Sequence, residues 1–357
     1  MKKMRKRFRV LAVLMVLAAL VSGCQKKNDD GSKQVEVGIV MKNYNSPYFQ
    51  MLNDTIKAES EKLGWKCTVL GSDSDVTKEA ANIDSLIQKK VKVIFIDSIE
   101  PNPVVPAINR AAEAGIAVIN VDSAPGVGAN DITTVYSDNI ENGRAVGKAY
   151  VNYIGADKPL YGIILSGGKG NVAGLERRSG LFAGIIGARL NLSPGEADDA
   201  AADIERQLVA TGRAENAAAR FFIVGQGWGD WSRTGGLQVG EDLITANKGM
   251  LNLMMAENDE MNLGARQALV NADLLDVDII AAADGAKAAY DLIKSGDKPR
   301  YISTGENSPV KVGIKAVEIA RQIVVDGKPW TAFDKITKTD AFGVTADMVT
   351  AHYDYGF

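Results

Sequence analysis

Trp228 and Trp231 stand three residues apart in GQGWGDWSRTGG, residues 225–236, with glycine on every side. A tryptophan covers roughly 150–250 Å² and normally joins a core, whereas glycine-rich loops run over surfaces and carry function. An exposed indole is a flat apolar face waiting for a flat partner. The residues that directly follow the apolar runs of the chain supply the rest of a site. They are Lys42 with Ser46-Pro47-Tyr48-Phe49, Asp97, Asp122, Gly168 to Asn171, Asn258 with Asp259, Asp284, and Glu306 with Asn307. Aromatics, carboxylates and amides alternate there without a run of basic residues. A sugar fits this mixture: its C–H patches stack on aromatic faces, and each rim hydroxyl both donates and accepts. Asp takes hydroxyl protons, Asn gives and takes one bond each, and Arg offers a fork of donors. Hydrogen bonds to charged groups contribute about 1.5–3 kcal/mol each. A handful of them with two stacking faces gives micromolar or tighter binding. Lys42 has two readings, a donor to a hydroxyl or anionic group, and a solvated lysine at a strand end.

Catalysis is disfavoured by what these residues lack. His352 is the single histidine, which removes most His-based zinc sites and most Ser-His or Cys-His nucleophile pairs. SGGKGNVAG contains G-x-G-x-x-A, but it lies mid-chain and no acidic residue closes a following strand at the dinucleotide spacing. Lys169 is not followed by Ser or Thr, so this is no Walker loop either. Asp259 and Glu260 are neighbours at a helix start, where side chains diverge instead of facing each other across a glycosidic bond. They suit the helix dipole better. Neither enzyme activity, nor a metal, nor a cofactor is expected.

The elements that would position these residues alternate. VEVGIVM, CTVLGS, VKVIFID and IAVINVD read as strands; PYFQMLNDTIKAESEKLG, TKEAANIDSLIQKK and NPVVPAINRAAEAG between them read as helices. This order predicts βαβ units and a parallel sheet, and VIFID and IAVINVD are apolar at nearly every position, as strands covered on both faces must be. Phe49, Leu52, Ile56 and Leu63 keep helical spacing, and Gly64 sits where a helix ends. A second series starts near residue 139 with ENGRAVGKAYVNYIG, LYGIILSG, LERRSGLFAGIIGARL and FFIVGQ. Two series in a chain of 357 residues predict two lobes. Alanine-rich SPGEADDAAADIERQLVATGRAENAAAR, residues 193–220, reads as an extra surface helix with Ile204, Leu208 and Val209 at helical spacing. In open parallel sheets ligands bind beyond the carboxyl ends of the strands, which is where the polar and aromatic residues gather.

MKKMRKRFR, the apolar VLAVLMVLAALV and the small residues Ser22 and Gly23 ahead of Cys24 have the order of a secretory signal, too short for a bilayer-spanning helix of about 20 residues. Removing residues 1–23 takes away six positive charges and moves the formal charge from -3 to -9. An acidic, exported body argues against nucleic acid as a partner. QKKNDDGSK is polar and aperiodic, a flexible tether. Cys67, alone in the alternation WKCTVL, is expected to be a buried structural thiol without a disulfide mate.

VGIVMKNYNSPYFQMLNDTIKAESEKLGW, AVINVDS, TVYSDNIENGRAVG, ERRSGLFAGI, MAENDEMNLGARQAL, AADG and KPWTAFDKITKTD together resemble the type I periplasmic sugar-binding proteins, in their ribose and galactose/glucose branch, over nearly the whole chain from about residue 35. LVSGC similarly resembles the bacterial lipobox, which implies acylation of Cys24 and attachment to the membrane. The family resemblance implies an α/β fold of two doubly wound parallel-sheet lobes joined by a multi-strand hinge. Its implied division is 34–137 with 308–337, and 138–307 with 338–357, after a 1–23 signal peptide and a 24–33 tether. It implies a monomeric carrier that closes on a monosaccharide and hands it to the permease subunits of an ABC importer. A sensor that signals to a chemoreceptor or membrane kinase, or a carrier of a non-sugar polyol or furanosyl ligand, is the alternative. A sugar-responsive repressor is excluded by the export signal. Position by position, Phe49 and Trp231 match the two aromatic walls, with Trp228 a lip or core residue. Ser46, Tyr48 and Lys42, which follow the first strand with Phe49, are expected to bind ligand as well. Asp97 and Asp122 match hydroxyl-binding Asn or Asp. Arg178 matches the ring-oxygen arginine with Arg177 as the alternative register, and Asn258, Asp284 and Asn307 match the remaining polar ligands. Ser123 replaces the arginine of the ribose branch, and GGKGNVAGLERR lacks the His and Asp of the galactose/glucose branch, so the sugar is left unnamed.

Overall fold

The computed structural model describes residues 34–357, so the signal sequence, Cys24 and the tether lie outside the described residues. The chain winds through β1 (Glu36–Met41), α1 (Pro47–Lys62), β2 (Lys66–Gly71), α2 (Val76–Lys89), β3 (Val93–Ile96), α3 (Val105–Glu113), β4 (Ala117–Val121) and β5 (Thr133–Ser137). A second series follows. It runs α4 (Asn139–Ile154), β6 (Leu160–Ser166), α5 (Val172–Leu190), α6 (Pro194–Thr211), β7 (Ala214–Asn216), β8 (Phe221–Trp228), α7 (Arg233–Asn247), β9 (Leu253–Ala256), α8 (Asp259–Asn271), β10 (Asp278–Asp284), α9 (Lys287–Ser295) and β11 (Tyr301–Glu306). Then come α10 (Pro309–Val324), β12 (Ile336–Thr339), β13 (Gly343–Val344) and α11 (Val349–His352). No described helix is long and apolar enough to cross a membrane.

The strands form two sheets, one ordered β12-β5-β4-β3-β1-β2 and the other β13-β11-β10-β9-β6-β8-β7. All pairings are parallel except β11 with β13 and β7 with β8. The α/β class and the parallel sheets expected from the alternating pattern are present, and the sheets are doubly wound as the family resemblance implies. Each sheet reverses its winding once, between β1 and β3 and again between β6 and β9, which makes two switch points. Strands β3, β4 and β10 are buried at every position, which explains why their runs are apolar at nearly every residue. Residues beyond β5, β11 and β12 pass from one sheet to the other. Because β12 belongs to the first sheet, the boundary expected between residues 337 and 338 falls inside a strand, and the passage comes after Thr339.

Local signals set the helix ends. Ser46 caps α1 by accepting from Tyr48 N, Pro47 occupies its first turn, and Gly64 at φ +74° follows its C-cap. In α6 Ser193 and Glu196 form a reciprocal capping box, and Gly212 at φ +71° ends it. This helix is more than the expected surface addition: Ala197, Ala201, Ile204 and Leu208 are buried in the core under α5, while Val209 points outward at 79% exposure. Cys67 departs from expectation too. It is half-buried, because β2 is the edge strand of its sheet, and partial burial pushes its thiol pKa up.

Glycine decides how α4 and α5 meet. A Cβ on Gly143 would lie 2.3 Å from the Arg177 carbonyl oxygen, and one on Gly180 2.0 Å from that of Ile140. Only bare backbones pack this closely, and the contact fixes both the separation and the rotation of α5. Gly180→Ala is therefore expected to cost about 1–3 kcal/mol through overpacking, read as a lower urea midpoint at unchanged m-value.

Candidate functional site

Residues beyond the carboxyl ends of the strands of both sheets converge on one cavity of about 780 Å³ with an adjoining recess of about 290 Å³. The larger volume lies within the range of roughly 300–1,000 Å³ common for small-molecule sites. Ser46, Tyr48, Phe49, Asp122, Trp231, Asn258, Asp284 and Asn307 all line the larger space. Phe49 comes from the first turn of α1, beside the first sheet; Trp231 comes from the turn between β8 and α7, beside the second. Both reach both spaces.

The Phe49 wall is built by a short apolar step. Tyr48 is 6% exposed, packs edge-on against Phe49 with ring centroids 5.6 Å apart, and donates its hydroxyl to Asn307 Oδ1 at 3.4 Å. Lys42 lies behind, its Nζ 4.3 Å from the Phe49 ring centroid and 3.1 Å from a carboxylate oxygen of each of Asp97 and Asp122. It also donates to Ser123 Oγ at 3.1 Å. Of its two readings the solvated one is thus set aside: Lys42 is a paired cation facing the recess. Burial works against its charge, but Asp122 and Asp97 overcome that and hold its pKa above the ordinary lysine value. Burial pushes Asp97 up to about 7 despite the ammonium. Asp122, half-buried, ends below its ordinary value, because the charge and hydrogen bond of Lys42, with the Tyr48 hydroxyl and the Arg177 charge, outweigh desolvation.

Trp231 lies on glycine. Its backbone holds φ +56° after Asp230 at +48°, uncommon for residues with a side chain, and Asn258 Nδ2 donates to its carbonyl at 3.2 Å. Asn258 Oδ1 at the same time caps α8 by accepting from Met261 N. A Cβ on Gly167 would come within 1.9 Å of the indole, so the ring rests directly on that backbone.

Between the walls sits a cation that the residue-by-residue match ranked second. Arg177 lines both spaces; its Nη1 donates to Asp284 Oδ1 at 3.1 Å and its Nε to Asn139 Oδ1 at 3.1 Å. Arg178, the expected ligand residue, is turned away. It pairs with Glu205 at 2.5 Å and Glu257 at 2.7 Å and lines neither space. Successive helix positions differ by about 100° in direction. The glycine contacts of Gly143 and Gly180 rotate α5 so that Arg177, and not Arg178, faces the second switch point. Asp97 is the other correction: it is fully buried behind Lys42 and outside the cavity. Trp228 is outside it too, packed against Lys169 and Arg178.

Asp284 is positioned from below. Asp259 Oδ2 accepts from Gly285 N and Ala286 N at 2.9 and 2.7 Å, and its Oδ1 accepts from the Tyr301 hydroxyl. Burial, reinforced by the Asp284 charge, pushes Asp259 up to about 7. Burial raises Asp284 as well, opposed by Arg177. The sequence did not single out Asn139 or Arg233, although both line the site, Asn139 in the recess and Arg233 in the main cavity. Asn139 opens α4 directly after β5, a position after a strand that could have marked it. Arg233 pairs with Glu260 at 2.8 Å, a contact across two helices that spacing does not reveal.

Comparison with known proteins adds ancestry to this geometry. The periplasmic binding protein domain model matches residues 37–329. The ribose import binding protein of Salmonella typhimurium is 27% identical over 319 residues, spanning 89% of this chain and 93% of that protein. The D-apiose import binding protein of Paraburkholderia graminis is 23% identical, over 73% of each chain. An ABC transporter solute binding protein of Mycobacterium smegmatis, solved with bound glycerol, superposes with a TM-score of 0.67 at 26% identity, covering 89% of this chain and 96% of its own. A periplasmic solute binding protein of Actinobacillus succinogenes, solved with bound D-allose, shares the fold with a TM-score of 0.70 at 21% identity, over 89% and 100%. These relatives are binding proteins.

Proposed function

The chain belongs to the periplasmic binding protein domain family, and from that membership we propose that it captures a neutral monosaccharide outside the cytoplasm and delivers it to an ABC importer. The observation that carries this reading is the shared cavity with an aromatic face on each side and every lining cation already paired. Among the described lining residues the cations are Lys42, Arg177 and Arg233, and each is matched by carboxylates of the protein. A carboxylate on the ligand would find no free counter-charge and would face Asp122 and Asp284. Hydroxyls would find acceptors in those same carboxylates and donors in Arg177, Asn258 and Asn307.

Residues 34–137 with 308–339 act as one lobe, and 138–307 with 340–357 as the other. Bound sugar bridges Phe49 and Asp122 on the first to Trp231, Arg177 and Asp284 on the second. It favours the closed arrangement by the difference in its affinity for the two states. Cys24 is acylated and the folded body hangs from the membrane on residues 25–33. The test is a thermal-shift panel of pentoses, hexoses, polyols and sugar acids, since a native-state ligand raises the melting temperature by mass action. A neutral sugar should give the largest shift, about 2.7 kcal/mol of stabilisation at a hundredfold excess over Kd. A sugar acid as sole winner would overturn the neutral-ligand reading.

A further inference from the structure

The floor beneath Trp231 is tied to a helix that never approaches the cavity. Glu257 follows β9 and is fully buried. Its Oε2 accepts from Gly167 N at 2.8 Å, and Gly167 is the residue on which the indole rests. A Cβ on Gly174 would meet Glu257 Oε2 at 2.4 Å and Trp231 Cη2 at 3.1 Å. The carboxylate therefore sits at the rim of the indole with no spare space. Its other oxygen, Oε1, accepts from Arg178 Nη1 at 2.7 Å. The remaining edge of that guanidinium forks onto Glu205 of α6, Nε to Oε2 at 2.7 Å and Nη2 to Oε1 at 2.5 Å.

We infer that Glu205, Arg178 and Glu257 are positioning residues, a buried relay by which α6 fixes the angle of the Trp231 wall. One planar guanidinium serves two carboxylates because its donors point in two fixed directions. The fork onto Glu205 sets the plane of Arg178, the plane sets Glu257 Oε1, and the rigid carboxylate then presents Oε2 to Gly167. The three side chains are 17%, 7% and 0% exposed, so water does little to loosen them. Trp228, whose ring lies 5.9 Å from the Arg178 guanidinium carbon, covers the relay from the side. The pair of tryptophans thus divides its work: Trp231 faces the cavity, and Trp228 shields the cation that holds its floor. The added helix gains a role beyond covering α5, since it supplies the outer carboxylate.

The test needs no sugar, so its outcome is separate from that of the proposed function. Protein labelled with 5-fluorotryptophan is studied by 19F NMR, with the Trp231 resonance assigned by Trp231→Phe. Glu205→Ala, well away from the cavity, should at least double the linewidth of the Trp231 resonance or split it. The resonances of Trp65 and Trp330 should stay as they were. A lower melting temperature with an unchanged Trp231 resonance would mean that α6 only covers apolar surface, and the relay would be refuted. If Glu205→Ala does not fold, Arg178→Lys replaces it. A lysine cannot fork onto both carboxylates, and the same broadening is expected, with an unchanged line again refuting the relay.

Discussion

Arg177→Met is expected to weaken sugar binding by roughly 10- to 150-fold and to destabilise the free protein as well. The first effect follows from losing charged donors in the cleft, worth about 1.5–3 kcal/mol each. The second follows from Asp284, which is 9% exposed and faces Arg177 Nη1 at 3.1 Å. Methionine fills much of the space but leaves that carboxylate buried without its cation. Removing one partner of a buried pair typically costs about 3–5 kcal/mol. The exposed edge of this pair and the side-chain hydrogen bond that the Asp284 carboxylate receives from Asn307 argue for the lower end. Asp284→Asn in the Arg177→Met background should recover part of the stability without recovering affinity, because the stranded charge is gone while the donors stay absent. Urea unfolding and titration calorimetry on the same samples separate the two effects. Affinity within twofold of the parent protein would remove Arg177 from the site.

Trp231→Ala is the second large effect, a loss of about 1–3 kcal/mol in sugar affinity by analogy with bases stacked on aromatic side chains. The indole is anchored from behind by Gly167 and by the Asn258 bond to its carbonyl, so deleting it leaves an open wall. Trp228→Ala provides the contrast. That ring does not line the cavity, and its removal should change affinity far less than Trp231→Ala. Equal losses from the two substitutions, measured by calorimetry with the sugar that wins the thermal-shift panel, would break the assignment of walls.

Much of this architecture was legible in the residues. Alternation of apolar runs with helical spacing gave parallel sheets, since a strand covered on both faces cannot be amphipathic and a helix on its flank must be. Ser46 and Pro47 before the helix, Gly64 after it, and Asn258 ahead of DEMNLGA are local signals whose physics acts within a few residues. For the same reason Phe49, Asp122, Trp231, Asn258, Asp284 and Asn307 could be placed after strands, and the topology of doubly wound sheets brings strand ends together.

What the tertiary structure decided were directions and partners. Arg177 and Arg178 are chemically identical neighbours, and only the glycine contact of α4 on α5 chooses which faces the cleft. Lys42 could have been a free ammonium; folding places Asp97 and Asp122 beside it from beyond two other strands, so its charge is already matched within the protein. Trp228 ends β8 and Trp231 follows in the turn beyond it, and a backbone turn through positive φ sends them to different tasks. Sequence spacing fixes the phase of a residue within its own element. The phase of that element against its neighbours is settled by packing between segments far apart in the chain, where no local signal reaches.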